Sequence, residues 1–412
     1  MGIKVHGVRS GNDSDAYKET LLGLIPKDWE ATKLGNQVED LIVPMRDKPK
    51  QFNGNIPWCR IDDFNGKYLH TSKNGRFVDE NMILEMNLKV FPKGTVICSC
   101  SAKLGICAIA GNPLITNQTF IGIVPKKTFD KEFLYYLMKS YEKRLQLLST
   151  GTTISYLPKD KFENFIIVKP PLSEQRKIVA ILSSVDTVIE QTDAIIAQTE
   201  RVKRGLMQYI FIEEAAIKKW KTADLSDLAQ IEMGQSPSGS TYNVIGNGMP
   251  LINGPTEFGR NYPNPVQWTS SPSKVCKKGD ILFCVRGSST GRINLADREY
   301  CIGRGVAAIH GKPNRGKTAF IKYFLEHEVP HIYTLAAGGG STFPNITSTL
   351  LNTYPCCLPS LSDQCRVVNV LLSIDQKLEY ENQCRSNLCL IQKGLMQDLL
   401  TGRVRVKVNE HA

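Results

Sequence analysis

Three stretches between residues 287 and 331 carry residue types at spacings that could do chemistry. Gly311-Lys312-Pro313-Asn314-Arg315-Gly316-Lys317-Thr318 matches a phosphate-binding loop and lies between the strand-like AAIH and a helical stretch. Such a loop cradles phosphates on backbone N–H groups, which would put Lys317 on the outer phosphates and Thr318 on magnesium. Against this, Pro313 removes one backbone donor, and no apolar strand ending in Asp follows to hold the metal. His327-Glu328-Val329-Pro330-His331 has the spacing of two zinc histidines with a general base. That chemistry needs an unbroken helix, and Pro330 is expected to end the helix near Glu328. Gly287-Ser288-Ser289-Thr290-Gly291 follows the strand-like ILFCV as a nucleophile elbow would. An elbow leads into a helix, whereas GRINLADREY reads as another strand or turn. A tight glycine turn presenting Arg286, Ser288 and Arg292 is the better account. The sequence also holds no Asp/Asn-Pro-Pro-Tyr/Phe loop for amino-methyl transfer, no glycine fingerprint for S-adenosylmethionine and no nuclease carboxylate–lysine cluster. The chain reads as a protein without an active site, metal or cofactor of its own.

The elements that would position any site follow from composition and repetition. With 412 residues, 42% hydrophobic and 22% charged, the chain reads as ordinary globular protein in two or three domains. No apolar run approaches the roughly 18 residues of a membrane span, because FIIV and ILFCV are quickly cut by Lys or Arg. The opening residues lack the apolar core of a signal peptide. Twelve cysteines are scattered without disulfide or zinc spacing, so a cytoplasmic location with reduced thiols is expected. A net charge of +11 suits a polyanionic partner, most often nucleic acid.

The chain repeats itself. PPLSEQRKIVAILSSVD (170–186) has a partner in PSLSDQCRVVNVLLSID (359–375), 189 positions on, and the same offset carries KRGLMQ (203–208) onto QKGLMQ (392–397). PKGTVICSC (92–100) answers KKGDILFCV (277–285), STGTTISYL (149–157) answers GGGSTFPNI (338–346), and Trp29 answers Trp220. Repetition also weakens the three motifs above. The first copy has the glycine-free VPKKTFDKEF (124–133) for the phosphate loop and SAKLG (101–105), with no central serine, for the elbow.

Each copy is a mixed region followed by a helical one. In the first helix, Ile178, Ile181, Val185, Val188, Thr192, Ile195, Thr199, Val202, Leu206 and Tyr209 alternate in steps of three and four. That is a heptad seam held for over four heptads, as in a coiled coil. Ser173 with Glu174 reads as an N-cap followed by an acid. The second helix carries Val367, Val370, Ile374, Cys384, Leu388, Ile391 and Leu395, with Lys377 and Glu381 interrupting. A 37-residue helix would be about 55 Å long. In the mixed regions KGTVICSC, ILFCV and FIGIV read as strands, and 130–148 and 317–328 as helices.

The expected architecture is α+β: two target-recognition domains of mixed strands and short helices, separated by two long antiparallel coiled-coil spacer helices, with an internal pseudo-two-fold duplication. The boundaries read as an N-terminal segment 1–28, a first domain 29–172, a central spacer 173–219, a second domain 220–360, a distal spacer 361–400 and a tail 401–412. Antiparallel helices would relate the domains by a pseudo-two-fold axis, matching the local two-fold axes of DNA and fitting a bipartite, asymmetric target.

IPKDWEATKLG (25–35), PPLSEQRKIVAIL (170–182), LSDQCRVVNVLLSID (361–375) and KGLMQDLLTGRVRV (393–406) make the chain resemble the specificity subunit of type I restriction–modification systems over nearly its whole length. The resemblance implies a non-catalytic subunit that binds double-stranded DNA and scaffolds modification (adenine methyltransferase) and restriction (translocase and nuclease) subunits. S-adenosylmethionine, ATP and magnesium would belong to those partners, and no membrane is involved. The assembled complex would be a site-specific deoxyribonuclease and adenine-specific DNA methyltransferase. No known target carries over, because recognition domains vary widely in the family. A stand-alone pseudo-two-fold DNA-binding regulator is the alternative.

Groove readout draws on Arg, Lys, Asn, Gln, Ser and Thr on exposed turns. The first copy offers Arg60, Lys73, Lys103, Asn117, Gln118, Thr152, Thr153, Tyr156 and Lys159. The second offers Arg260, Tyr262, Arg286, Ser288, Ser289, Arg292, Arg304, Thr342 and Asn345. About half of such contacts should go to phosphates.

Overall fold

Apolar runs bounded by glycine and proline become short strands, and the two heptad stretches become the longest helices. The computed structural model describes residues 16–101, 104–149, 156–337 and 344–407. Four helices organise it: α1 (Lys131–Ser140), α2 (Leu172–Gln208), α3 (Thr318–Ala337) and α4 (Leu361–Leu399). Packing divides the chain into two units, one holding residues up to Gln191 and from Arg385 onward, the other Thr192–Cys384. Each long helix therefore gives one half to each unit.

In the first unit, a five-stranded sheet runs in the order Val38–Ile42, Phe120–Pro125, Val96–Ser99, Cys107–Ala110, Tyr68–Leu69. A smaller sheet places Ile56–Cys59 between Ile115–Thr116, to which it is parallel, and Phe77–Val78. The second unit repeats the plan, with a four-stranded sheet Ala229–Met233, Val306–Gly311, Ile281–Cys284, Ile293–Leu295. Its other sheet, of five short strands, likewise pairs Met249–Ile252 in parallel with Tyr300–Ile302. A two-stranded ribbon closes each domain onto its helix, Glu30–Lys33 with Ile166–Lys169 and Lys221–Asp224 with Pro355–Leu358. α1 and α3 cover the central sheets: Phe133, Tyr136 and Leu137, and Phe320, Ile321 and Leu325, are fully buried. The buried thiols belong to these cores, and burial pushes Cys59 and Cys276 up to about 12.

Several expected boundaries move. The helical stretch 130–148 is two helices, α1 and Glu142–Leu148, broken at Tyr141. α3 does not stop near Glu328 but runs through Pro330 to Ala337. Pro330 is exposed, while Leu325 and Ile332 are buried on either side of it. Packing of both halves outweighs the local penalty of proline. The start of α2 is also earlier than Ser173. In the second copy Ser360 caps the helix, its Oγ accepting from the Asp363 N–H at 3.1 Å. Pro171, not Ser173, holds the matching place in the first copy, its carbonyl accepting from the Glu174 and Gln175 N–H groups.

The heptad seam is offset by one residue at alternate positions. Val188, Ile195, Val202 and Tyr209 are 43, 42, 50 and 45% exposed, and Val370 and Ile391 are 39 and 53% exposed. The row that faces protein is Ile178, Leu182, Val185, Ile189, Thr192, Ile196, Thr199, Lys203, Leu206 and Ile210. It alternates four and three where the sequence suggested three and four. The apolar doublets Ile181-Leu182, Val188-Ile189 and Ile195-Ile196 suit both rows, and Lys203 made the true one look broken. Its ion pairs explain it: Lys203 Nζ lies 2.7 Å from Asp375 and 3.0 Å from Glu326. Burial would lower its pKa, but the two carboxylates outweigh burial and raise it. In the first unit the matching residue, Gln392, donates to Asp186, the counterpart of Asp375. Within each unit the contacts run in opposite directions along the two helix segments. Asp186 meets Gln392 while Glu174 meets Arg405; Lys203 meets Asp375 while Lys218 meets Asp363.

A second polar station lies on α1. Lys67 Nζ is 2.7 Å from Glu132, and the Tyr68 hydroxyl donates to the same carboxylate at 2.5 Å. Burial alone would raise the Glu132 carboxyl, but Lys67 and Tyr68 outweigh it and hold it below the ordinary range. A depressed folded pKa contributes stability that is present above the unfolded value of about 4.3 and lost as pH falls through the folded one. Glu132→Gln is therefore expected to flatten the acid limb of unfolding below about pH 4.5, as followed by urea midpoints against pH. An unchanged acid limb would rule this out.

Candidate nucleic-acid interface

At one end of each central sheet three chain segments are laced by the same hydrogen bonds. In the first unit a turn joins Ile115–Thr116 to Phe120–Pro125, closed by the Phe120 N–H on Asn117 O at 3.3 Å. Cys100 N–H donates to Thr119 O, and Leu157 N–H donates to Cys100 O, both at 2.8 Å. In the second unit the Val306 N–H closes the turn on Gly303 O at 3.0 Å, Val285 N–H donates to Gly305 O at 2.9 Å, and Ile346 N–H donates to Val285 O at 2.8 Å. An isolated bridge then pairs Ser101 with Tyr156, and Arg286 with Asn345.

This equivalence aligns the side chains at the mouth. Gln118 stands where Arg304 stands, Ser101 where Arg286 stands, and Tyr156 where Asn345 stands. Arg60 follows Ile56–Cys59 as Asn253 follows Met249–Ile252, and a buried carboxylate holds the backbone at Arg60 and at Gly254, the residue after Asn253. Asp63 accepts the Arg60 N–H at 2.7 Å, and Glu257 accepts the Gly254 N–H at 3.1 Å. In the second unit Arg286, Arg304, Tyr242, Asn253 and Ser236 surround a concavity of about 550 Å³. Arg286 and Arg304 are exposed. Two exposed arginines among hydroxyl and carboxamide side chains make this mouth suited to an anionic, hydrogen-bonding ligand.

The mouths gather Arg60, Asn117, Gln118 and Tyr156 in one unit and Arg286, Arg304 and Asn345 in the other. Ser101, Tyr242 and Asn253 belong with them and were missed, since only the matched bridge, the lining of the concavity and the matched parallel strands reveal their places. Other expected residues lie elsewhere. Lys73 shares the Asp63 carboxylate with Arg60 through its backbone N–H, but its Nζ turns back to Asp62 O. Lys159 pairs with Glu163. Arg260 lies 3.3 Å from Glu379 of α4, and with Tyr262 it lines a separate cleft of about 770 Å³. Arg292 reaches Pro255 O, Ser288 is exposed and Ser289 half-buried in the same turn. Lys103, Thr152, Thr153 and Thr342 lie outside the described residues.

The three enzyme-like motifs have structural explanations. In the phosphate-loop match the backbone is already committed: Gly311 N–H donates to Thr318 Oγ1, Lys312 N–H to Leu228 O, Gly316 N–H to Lys312 O and Lys317 N–H to Gln364 Oε1. A Cβ at Gly316 would meet Leu228 O at 2.3 Å, so its glycine serves close packing. Purified protein is accordingly expected to show no saturable Mg-ATP binding by calorimetry, and Lys317→Ala no loss of fold. Nucleotide binding abolished by that substitution would overturn this account. His327 Nδ1 contacts Glu328 and His331 Nδ1 contacts the Tyr354 hydroxyl, each at 2.8 Å. Among the described residues no group of three metal-ligating side chains exists. The Gly287–Gly291 stretch is a hairpin turn, with φ of +85° and +90° at its two glycines, leading into the strand Ile293–Leu295. Among the described residues no helix is long and apolar enough to cross a membrane.

Comparison with known proteins agrees with this geometry. The model of the type I restriction modification DNA specificity domain matches twice, over residues 26–201 and 217–388. A Methanocaldococcus jannaschii protein, provisionally named the MjaX type I restriction enzyme specificity subunit, is 30% identical, with 95% of this chain and 97% of that protein covered. The MjaIX specificity subunit of the same organism is 25% identical over the same shares. A chain solved in a study of complex assembly and conformational transition of a type I restriction–modification system superposes with a TM-score of 0.61 at 26% identity, covering 92% of this chain and 99% of that one. The S subunit from M. genitalium shares the fold, with a TM-score of 0.58 at 17% identity and shares of 90% and 96%. Two specificity-domain matches across most of the chain place it among the specificity subunits of type I restriction–modification systems, DNA-recognition proteins without an active site of their own.

Proposed function

We propose that the chain reads a bipartite, asymmetric DNA target, one half-site per mouth, and scaffolds modification and restriction subunits that bring S-adenosylmethionine-dependent adenine methylation and ATP-driven cleavage. The observation that carries this reading is the pair of mouths, matched bond for bond in backbone yet lined by different side chains. One architecture with two chemistries is what an asymmetric two-part sequence requires. The long helices α2 and α4 act as antiparallel coiled-coil spacers relating the domains by a pseudo-two-fold axis, and they set the gap between half-sites. The solved relative from a type I assembly supports the partners, and the net charge of +11 supports the polyanion.

The test replaces residues 220–358 by the matching region of a related specificity subunit and maps methylated adenines in the host genome. One half of the recognised sequence is expected to change and the other to persist. Alteration of both halves would defeat the assignment of one reader per unit. Inserting one heptad into α2 is expected to change only the gap, as read by the same mapping. Altered half-site bases with an unchanged gap would defeat the spacer assignment.

A further inference from the structure

The turns at the two mouths differ at one side chain whose chemistry can be read. Gln118 and Arg304 each occupy the second position of the matched turn, and both are exposed. Neither side chain has a hydrogen-bond or ion-pair partner among the described residues. The backbone beneath them is fixed by the lacing described above. In the first unit the Thr119 hydroxyl also donates to the Asn117 carboxamide at 2.9 Å. In the second, Gly303 and Gly305 press on Asn253, where added Cβ atoms would meet its Oδ1 and O at 2.2 and 2.3 Å.

A phosphate contact at this place would be made most strongly by a cation in both copies, although a carboxamide N–H also donates to phosphate. One copy carries a neutral amide. What glutamine and arginine share is a planar end group able to make two hydrogen bonds at once, and each matches a different purine. A carboxamide accepts from adenine N6–H and donates to N7, while a guanidinium donates to guanine O6 and N7. We propose that Gln118 and Arg304 are equivalent base readers, Gln118 taking an adenine in the half-site of the first unit and Arg304 a guanine in that of the second. Arg286, one segment away, remains available for backbone phosphate. This inference rests on the reading of the mouths as DNA-facing.

The experiment uses the full chain co-expressed with its modification subunit. Methylated-adenine mapping first defines both half-sites. The purified complex is then titrated by fluorescence anisotropy against duplexes carrying every single base-pair substitution. The half-site lost on replacing 220–358 must contain a guanine whose replacement weakens wild-type binding about ten-fold or more. Arg304→Gln should abolish discrimination at that one position, or turn it to adenine, and leave the other half-site unchanged. Gln118→Arg should do the reverse at one adenine of the first half-site. Arg304→Lys, which keeps donors for guanine O6 and N7 without the rigid fork, should weaken the preference for guanine without turning it to adenine. Uniform weakening across all duplexes, with a salt slope smaller by about one, would identify a phosphate contact and overturn the proposal. Unchanged binding, or a second half-site without guanine, would overturn it too. Wild-type complex lacking base-selective binding altogether would instead defeat the DNA-reading function on which it rests. Both residues are exposed, and matching urea midpoints for variants and wild type confirm that the fold is not what changed.

Discussion

Replacing Arg405 by alanine is expected to cost the first unit about 3 kcal/mol of stability. Glu174 lies in the first turn of α2 and is only 2% exposed. Its carboxylate is satisfied by the Trp29 Nε1–H at 2.8 Å and by Arg405 Nε and Nη2 at 2.8 and 2.9 Å. Arg405 also forks onto Asp28 at 2.9 and 2.7 Å and lies 5.9 Å over the Trp29 ring. Three segments far apart in sequence are thus stapled around one buried charge. Removing the guanidinium leaves that charge with a single neutral donor, the case in which breaking a buried pair costs about 3–5 kcal/mol. The Arg405 side chain is 40% exposed, so water can reach the gap and the cost falls at the low end. Asp28, half exposed, should matter far less: Asp28→Ala is expected to cost under about 1 kcal/mol. Glu174→Gln placed on the Arg405→Ala background should recover part of the loss, because a neutral amide tolerates the site better than an orphaned carboxylate. Urea unfolding with hydrogen exchange resolved to the first unit measures all three. A loss below about 1 kcal/mol for Arg405→Ala would show that the staple does not hold this unit together.

The second copy shows that this staple is not a generic consequence of the fold. Trp220 matches Trp29, but its buried Nε1 has no hydrogen-bond partner among the described residues. Asp363, one methylene shorter than Glu174, turns instead to Lys218 at 2.6 Å, at the surface. The second unit therefore carries the tryptophan as a packing residue only.

Much of the organisation was legible because repetition reports it independently of any propensity. An offset of 189 relates the two helix starts, the two GLMQ segments and the acids Asp186 and Asp375, and the structure gives those acids matching contacts. Strands such as Val96–Ser99 and Ile281–Cys284 announced themselves as apolar runs after Lys-Gly. The seam was misplaced because hydrophobicity alone cannot choose between neighbouring residues of an apolar doublet. The deciding residue, Lys203, is polar and satisfied only by groups more than a hundred positions away. The run of α3 past Pro330 was hidden for a related reason: local stiffness forbids it and distant packing at Ile332 restores it. Half of the mouth could be guessed from residue type, but Ser101 and Asn253 are ordinary in sequence and gain meaning from backbone bonds to remote segments.

Gln175 and Gln364 test how far this duplication is energetic as well as geometric. Both are fully buried and sit at the same place in their helices. Gln364 Oε1 accepts the Lys317 N–H at 2.8 Å, and its Nε2 donates to Arg315 O at 2.8 Å and Pro359 O at 3.2 Å. Gln175 Oε1 accepts the Asp130 N–H at 2.8 Å, and its Nε2 donates to Pro170 O at 2.8 Å. Each amide thereby ties the start of a sheet-covering helix, α3 or α1, to the foot of a long helix. Leucine nearly matches glutamine in volume, so Gln364→Leu removes hydrogen bonds rather than packing. It leaves one N–H and two carbonyls without that partner, at about 1 kcal/mol each. The expected loss is about 3 kcal/mol in the second unit, and about 2 kcal/mol in the first for Gln175→Leu. Gln364→Glu should give no rescue, since it keeps the acceptor for Lys317 N–H but turns a second acceptor toward two carbonyls. Because these amides set how each domain sits on its helix, they are positioning residues. Each substitution should weaken discrimination in its own half-site while sparing the other, a split that general destabilisation would not produce. Unit-resolved hydrogen exchange and half-site binding together decide this. A Gln364→Leu protein as stable as wild type, or one impaired equally in both half-sites, would show that the matched amides are not what orients the domains.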